Sequence, residues 1–228
     1  MRGLPRSLPP GVWPELARSM RNLRKIRSPR DAVAAFETET ERLLTAVMPL
    51  IVEHPLPVQS PAAARAIVAT AGGLAAVGEE WEEVAAVVTA GVAVGPTMPI
   101  VLAVNLAALT IEVTVAASLR VHQMTAAGIQ PEPDQVARDV IFAMTGKADD
   151  DHGGGISKAM VKSVVTRVLS RWGLSLVPFA GIAYSGWDAQ RTIDTIASLP
   201  MPAVPASRSR PLDAGIPDVA PTGTLGYS

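Results

Sequence analysis

From Trp13 to Ile196 the apolar residues recur at spacings of three and four, the period of amphipathic helices rather than strands. Trp13, Leu16, Ala17, Met20 and Leu23 form the first stripe, with Arg18, Arg21, Arg24 and Lys25 beside it. Ser28-Pro29-Arg30-Asp31 then supplies a capping hydroxyl, a proline for the first helical position and a carboxylate for the positive end of the dipole. The stripe Val33, Phe36, Leu43, Val47 and Leu50 extends that helix to about Glu53. Pro49 predicts a kink or an early end, because it removes a backbone donor and crowds the preceding turn. After the connector 54–57, Ser60-Pro61 repeats the start signal for an alanine-rich helix weakened at Gly72-Gly73.

Between Val84 and Ile111 there is no Asp, Glu, Lys, Arg or His, a longer uncharged run than the roughly 20 residues that span a bilayer. Gly91, Gly95, Pro96 and Pro99 divide it into a short Ala/Val piece and a longer helix from Pro99 to Ala127, stopped by Gly128. That helix carries Glu112, and a carboxylate at bilayer depth costs about 2.5 to 3.5 kcal/mol. The tract therefore predicts the central, nearly all-round buried helix of a bundle, with an integral span as the competing reading. A buried Glu112 needs a cationic partner, and Arg167 and Arg171 are the candidates. The linker 130–135 leads to a short helix with Val136, Val140, Ile141 and Met144 on one face and Gly146 at its end.

A further helix, Ile156 to Trp172, shows Lys158, Lys162, Arg167 and Arg171 flanking an apolar face, and no acid occurs between Asp151 and Asp188. Cations beside an apolar surface suit an anionic bilayer; a bundle helix with long basic side chains at its flanks reads the same way. Pro178 predicts the start of the last helix, where Gly181 and Ser185 permit close backbone approach and Asp188, Arg191 and Asp194 form a polar end. Beyond Leu199 come six prolines in 29 residues, the composition of a disordered tail.

The chain holds 20 basic and 21 acidic side chains, which argues against a dedicated nucleic-acid binder. Residues 1–30 nonetheless carry eight Arg or Lys against Glu15 alone, as a basic arm would. Two readings of that arm compete: a helix lying on an anionic membrane, or one docked on the body with its basic face in water. With no Cys, disulfides, thiolate metal sites and Cys nucleophiles are excluded. Glu79, Glu80, Glu82 and Glu83 surround Trp81 without metal-ligand spacing, and Asp149 to His152 lacks the pattern of a calcium loop; no metal or other cofactor is expected. There is no phosphate-binding loop and no nucleophile elbow, and His54, His122 and His152 lie in separate elements. A hidden hydrolase or lipid-handling site would require Glu112, Asp188 and Arg191 to converge in a shielded pocket. The first residues have no uninterrupted apolar stretch of the secretory kind, so a cytoplasmic location is expected.

Two resemblances extend this reading. The stretch from Leu109 through Glu112 to Leu119-Arg120, ending at Ala127-Gly128, is similar to the EcsC protein family, as are the linker and helix from Pro131 to Gly146 and the segment from Leu174 through Pro178 and Gly181 to Thr192. Asp188-Ala-Gln-Arg-Thr192 places Asp where that family's Asn-x-x-x-Thr pattern has Asn. The resemblance implies an α-helical bacterial protein, linked by name to a transporter operon and to membranes, and it carries over no catalytic residue. The final residues, with Leu225 and Tyr227 in Thr-Gly-Thr-Leu-Gly-Tyr-Ser, resemble a Gly-Ser-Leu cargo-loading peptide of bacterial encapsulin shells with its second apolar half altered.

The expectation is an all-α bundle of about six or seven helices, with a basic arm over 1–28, a bundle over 29–199 and a disordered Pro-rich tail over 200–228. Its expected role is that of a non-enzymatic accessory protein at the cytoplasmic membrane face. Trp13, Arg18, Arg21, Arg24, Lys25, Lys158 and Lys162 would contact membrane or lipid, and Glu112, Arg167, Arg171, Asp188 and Arg191 would be buried polar groups. The expected partner is an anionic membrane surface or a membrane-protein complex. The alternative is a soluble interaction or cargo protein recruited by a partner that binds its tail at Leu225 and Tyr227.

Overall fold

In the computed structural model, residues 8–26, 29–74, 94–147, 156–175 and 180–202 are described, with backbone alone at 29–30, 70–74, 94–101, 104, 171–175 and 180–186. Among the described residues there are seven helices and no strand: α1 Val12–Arg24, α2 Pro29–Glu53, α3 Pro61–Leu74, α4 Val94–Ala126, α5 Pro133–Thr145, α6 Lys158–Ser175 and α7 Ala180–Ser198. The protein is an all-α helical bundle.

The punctuation residues act as their chemistry requires. The Ser60 hydroxyl accepts the Ala63 amide (3.2 Å) at the start of α3, and Ser157 does the same for Met160 (3.3 Å) ahead of α6. At the end of α4, Gly128 takes φ 73°, which lets the Ile129 amide reach the Met124 carbonyl (2.9 Å) and the Gly128 amide reach Thr125 (3.0 Å). This is the paired closure that satisfies the last carbonyls of a helix. Gly146, φ 69°, ends α5.

Three boundaries differ from expectation. α2 runs through Pro49 to Glu53 without stopping; Pro49 is exposed and only four residues from the end, so its ring faces water and one carbonyl goes unserved. α4 begins at Val94, not near Pro99, because Pro96 falls in the first turn, where a backbone N–H has no helical partner to lose. α6 starts two residues later than expected, behind the Ser157 cap. The short Ala/Val piece, Pro178 and the tail beyond residue 202 lie outside the described residues.

α4 is the axis of the molecule. Its 33 residues make a rod of about 50 Å, and it touches α1, α2, α3, α5 and α7. Every residue from Glu112 to Val121 is buried, nearly three turns covered on all sides. The carboxyl-bearing apolar helix is thus enclosed by protein, and among the described residues no helix is long and apolar enough to cross a membrane.

A ladder of small polar residues runs along one side of this rod. The hydroxyls of Thr110, Thr114 and Ser118 each donate to the carbonyl four residues earlier, at 2.7 Å, so they are buried without loss of hydrogen bonding. Ser118 also accepts the Leu56 amide (3.0 Å), and His122, one turn on, donates from Nε2 to the Leu56 carbonyl (2.7 Å). The connector after α2 is thereby held at both polar groups of one residue, and Leu56 and Val58 are buried beneath it.

Candidate functional site

The sequence-predicted polar residues separate into an interior group and a surface group. In the interior, α4 contributes Glu112, α6 contributes Arg167 and α7 contributes Asp188 and Thr192, whose spacing of four puts both on one face. Arg167 Nε donates to Asp188 Oδ2 (2.8 Å), and Nη2 donates to the Asp188 carbonyl (3.1 Å) and to Thr192 Oγ1 (2.8 Å). The Thr192 hydroxyl in turn donates a hydrogen bond to Glu112 Oε1 (2.7 Å), and Arg167 Nη2 lies 3.2 Å from that same oxygen. The Thr192 hydroxyl therefore bridges the cation and the carboxylate. Arg167 Nη1 is buried with no hydrogen-bond partner.

Of the two arginines proposed for Glu112, Arg167 fills the role; the side chain of Arg171 lies outside the described residues. Arg191 does not join. It is exposed, because one residue before Thr192 the helix has turned about 100° away from the cluster. The convergence of Glu112, Asp188 and Arg191 that a hidden enzyme site required is therefore absent: two of the three meet, on Arg167, and the third faces water.

A second interior cation went unassigned by sequence reasoning. Arg120 is 1% exposed; its Nε donates to Asp139 Oδ2 (2.6 Å), Nη2 to the Pro200 carbonyl (2.7 Å) and Nη1 to the Leu199 carbonyl (3.3 Å). Gln135 steadies the other oxygen of Asp139 (2.8 Å). Arg120 thus caps the carbonyl-rich end of α7, where a positive charge is favourable, and fixes the point at which the chain leaves the bundle. The signal was available: a lone arginine inside an apolar run, with no acid three or four residues away.

On the surface, α1 packs on α2 and α4 with Val12, Leu16, Ser19 and Leu23 as its buried positions. These apolar residues belong to the same core cluster as the rest of the bundle. Trp13 is not part of the buried stripe. It is 61% exposed, on the side that carries Arg18, Arg21, Arg24 and Lys25, all exposed. At 100° per residue these five side chains occupy an arc of about 140°, centred opposite the buried stripe. Lys158 and Lys162 on α6 are also exposed.

A polar clasp joins α1 to α2. Glu39 accepts from Ser19 (2.7 Å), Asn22 (2.9 Å) and Arg42 Nε (3.0 Å). Arg42 Nη1 donates to Glu15 Oε2 (2.6 Å), and Nη2 to the Glu15 carbonyl (3.1 Å) and the Ser19 hydroxyl. Burial alone would raise the Glu39 carboxyl, but the donors Ser19, Arg42 and Asn22 and the Arg42 charge outweigh it and hold it below its ordinary value. Burial would likewise lower Arg42; its bonds to Glu15 and Glu39, with their charges, raise it instead.

Leu225 and Tyr227, the glutamates 79–83 and the acidic loop 149–152 lie outside the described residues. Among the described residues no three His, Asp or Glu side chains gather as a metal site would require. No protein-family model, curated protein or solved structure matches the chain.

Proposed function

We propose that this chain is a non-enzymatic, EcsC-like accessory protein that works peripherally at the anionic inner face of the cytoplasmic membrane, in support of transport or secretion. The observation that carries this reading is the outward face of α1, where an exposed tryptophan near the start of the helix shares a side with four exposed cations further along it. A tryptophan at headgroup depth satisfies both its apolar ring and its indole N–H, and each Lys or Arg near an anionic surface contributes about 1 kcal/mol. Lys158 and Lys162 add exposed charge on α6. A non-enzymatic role is supported by the interior acids and bases, which are spent on bonding one another across three helices.

Sedimentation with vesicles tests the proposal. The protein is expected to pellet with phosphatidylglycerol vesicles at low salt, to stay in solution with phosphatidylcholine, and to be released as ionic strength approaches about 0.5 M, where screening acts within a few ångströms. Equal recovery in the supernatant with and without anionic vesicles would sink it.

A further inference from the structure

We propose that α1 meets an anionic bilayer while still docked on the body, its axis along the surface, Trp13 among the headgroups and Arg18, Arg21, Arg24 and Lys25 on the phosphates. This deepens the membrane-surface reading and rests on it. The alternative is a helix that peels away and inserts its apolar stripe; the two modes differ in whether Leu16 and Leu23 or the cations meet the lipid, and Trp13 borders both sides of α1. A released helix would insert Val12, Leu16 and Leu23, but Ser19 interrupts that stripe and Glu15 and Asn22 flank it, while the cations lie on the far side. The docked helix presents the tryptophan and the four cations on one exposed side, with Arg18 in an exposed ion pair with Glu15 (3.4 Å).

Three features hold α1 in place. Val12, Leu16 and Leu23 are at most 1% exposed, so peeling would return them to water. The clasp would lose Ser19, Asn22 and Glu15 from Glu39 and Arg42. The helix is also set at its start: Gly11 takes φ 86° and has Leu50 of α2 3.0 Å from where a Cβ would stand.

The chemistry of the face favours lipid over an acidic protein. Among the described residues of α1, Trp13 has Pro14 and the half-buried Ala17 and Met20 for apolar company near this side, little for the apolar centre of a protein interface. One interfacial aromatic among cations matches the depth profile of a headgroup layer.

The test uses the full chain with phosphatidylglycerol-containing vesicles and reads hydrogen exchange across residues 12–24 together with affinity. Bound protein is expected to keep α1 amides as protected as in free protein. Trp13→Ala is expected to weaken binding about tenfold, and Arg21→Ala or Lys25→Ala about fivefold each. All three are surface changes, so an unaltered thermal melt verifies their fold. Binding with loss of α1 protection would overturn the docked mode and leave the membrane reading standing. Binding that Trp13→Ala leaves unchanged would also overturn it, assigning the contact to another face or the cations to an acidic protein. No binding by the unmodified chain would overturn both.

Discussion

Two arginines in this molecule each sit between two carboxylates and a hydroxyl. Arg167 joins Glu112, Asp188 and Thr192 across α4, α6 and α7; Arg42 joins Glu15, Glu39 and Ser19 across α1 and α2. The parts are nearly the same and the surroundings are not. The Arg167 side chain is 12% exposed and Glu112 4%, whereas Arg42 is 31% and Glu15 22%. In the interior neither water nor salt can replace a missing partner, so the cluster fixes how three helices meet. At the surface water can compensate in part, and the clasp serves to hold one helix against the body.

Replacing the centre of each cluster breaks or sharpens this comparison. Arg167→Met leaves two buried carboxylates short of their cation, and a loss of about 3–5 kcal/mol is expected, read as a lowered urea midpoint. Arg42→Met strips Glu39 and Glu15 at the surface and is expected to cost about 1–2 kcal/mol. Equal losses in the two variants would show that burial does not separate the clusters.

Smaller effects concern the attachment of α1. Gly11→Ala forces a side chain into a left-handed backbone and against Leu50, for an expected cost of about 1 kcal/mol; a melt at or above that of the unmodified chain would contradict the placement. The smallest is an acid effect at Glu39. Because its folded value lies below its ordinary one, its contribution is present above the unfolded pKa and fades as pH falls through the lowered folded value. Arg42, raised, stays charged throughout this range. Glu39→Gln should therefore be about 0.5–1 kcal/mol less stable at neutral pH, with the gap closing below about pH 4. A gap that stays constant from pH 7 to pH 3 would remove the carboxylate from the clasp.

The interior cluster was partly legible because burial of a charge demands an answer: Glu112 in an apolar helix calls for a cation, and Arg167 was among the two named. Arg120 escaped because its partners, Asp139 and the carbonyls of residues 199 and 200, lie on other elements that no spacing rule connects. Arg191 was misplaced by the converse error: closeness in sequence to Asp188 was taken for closeness in space.

The amino-acid sequence by itself determined the all-helical fold and the stops at Gly128 and Gly146, since hydroxyl caps and left-handed glycines act through bonds within a few residues. It also favoured an enclosed helix over a membrane span, since Glu112 is costly in lipid, and the packing of five helices around α4 decided between them. Tertiary structure alone decided which way α1 faces. Its apolar positions fit a stripe through Trp13 and Met20 or one through Val12 and Ser19, their centres about 65° apart. The choice fell to Glu39, which accepts from the Ser19 hydroxyl, and Arg42, which donates to it, and together they leave the tryptophan in water. Facing is a contest between partners on separate segments, and helical periodicity records only one side of it.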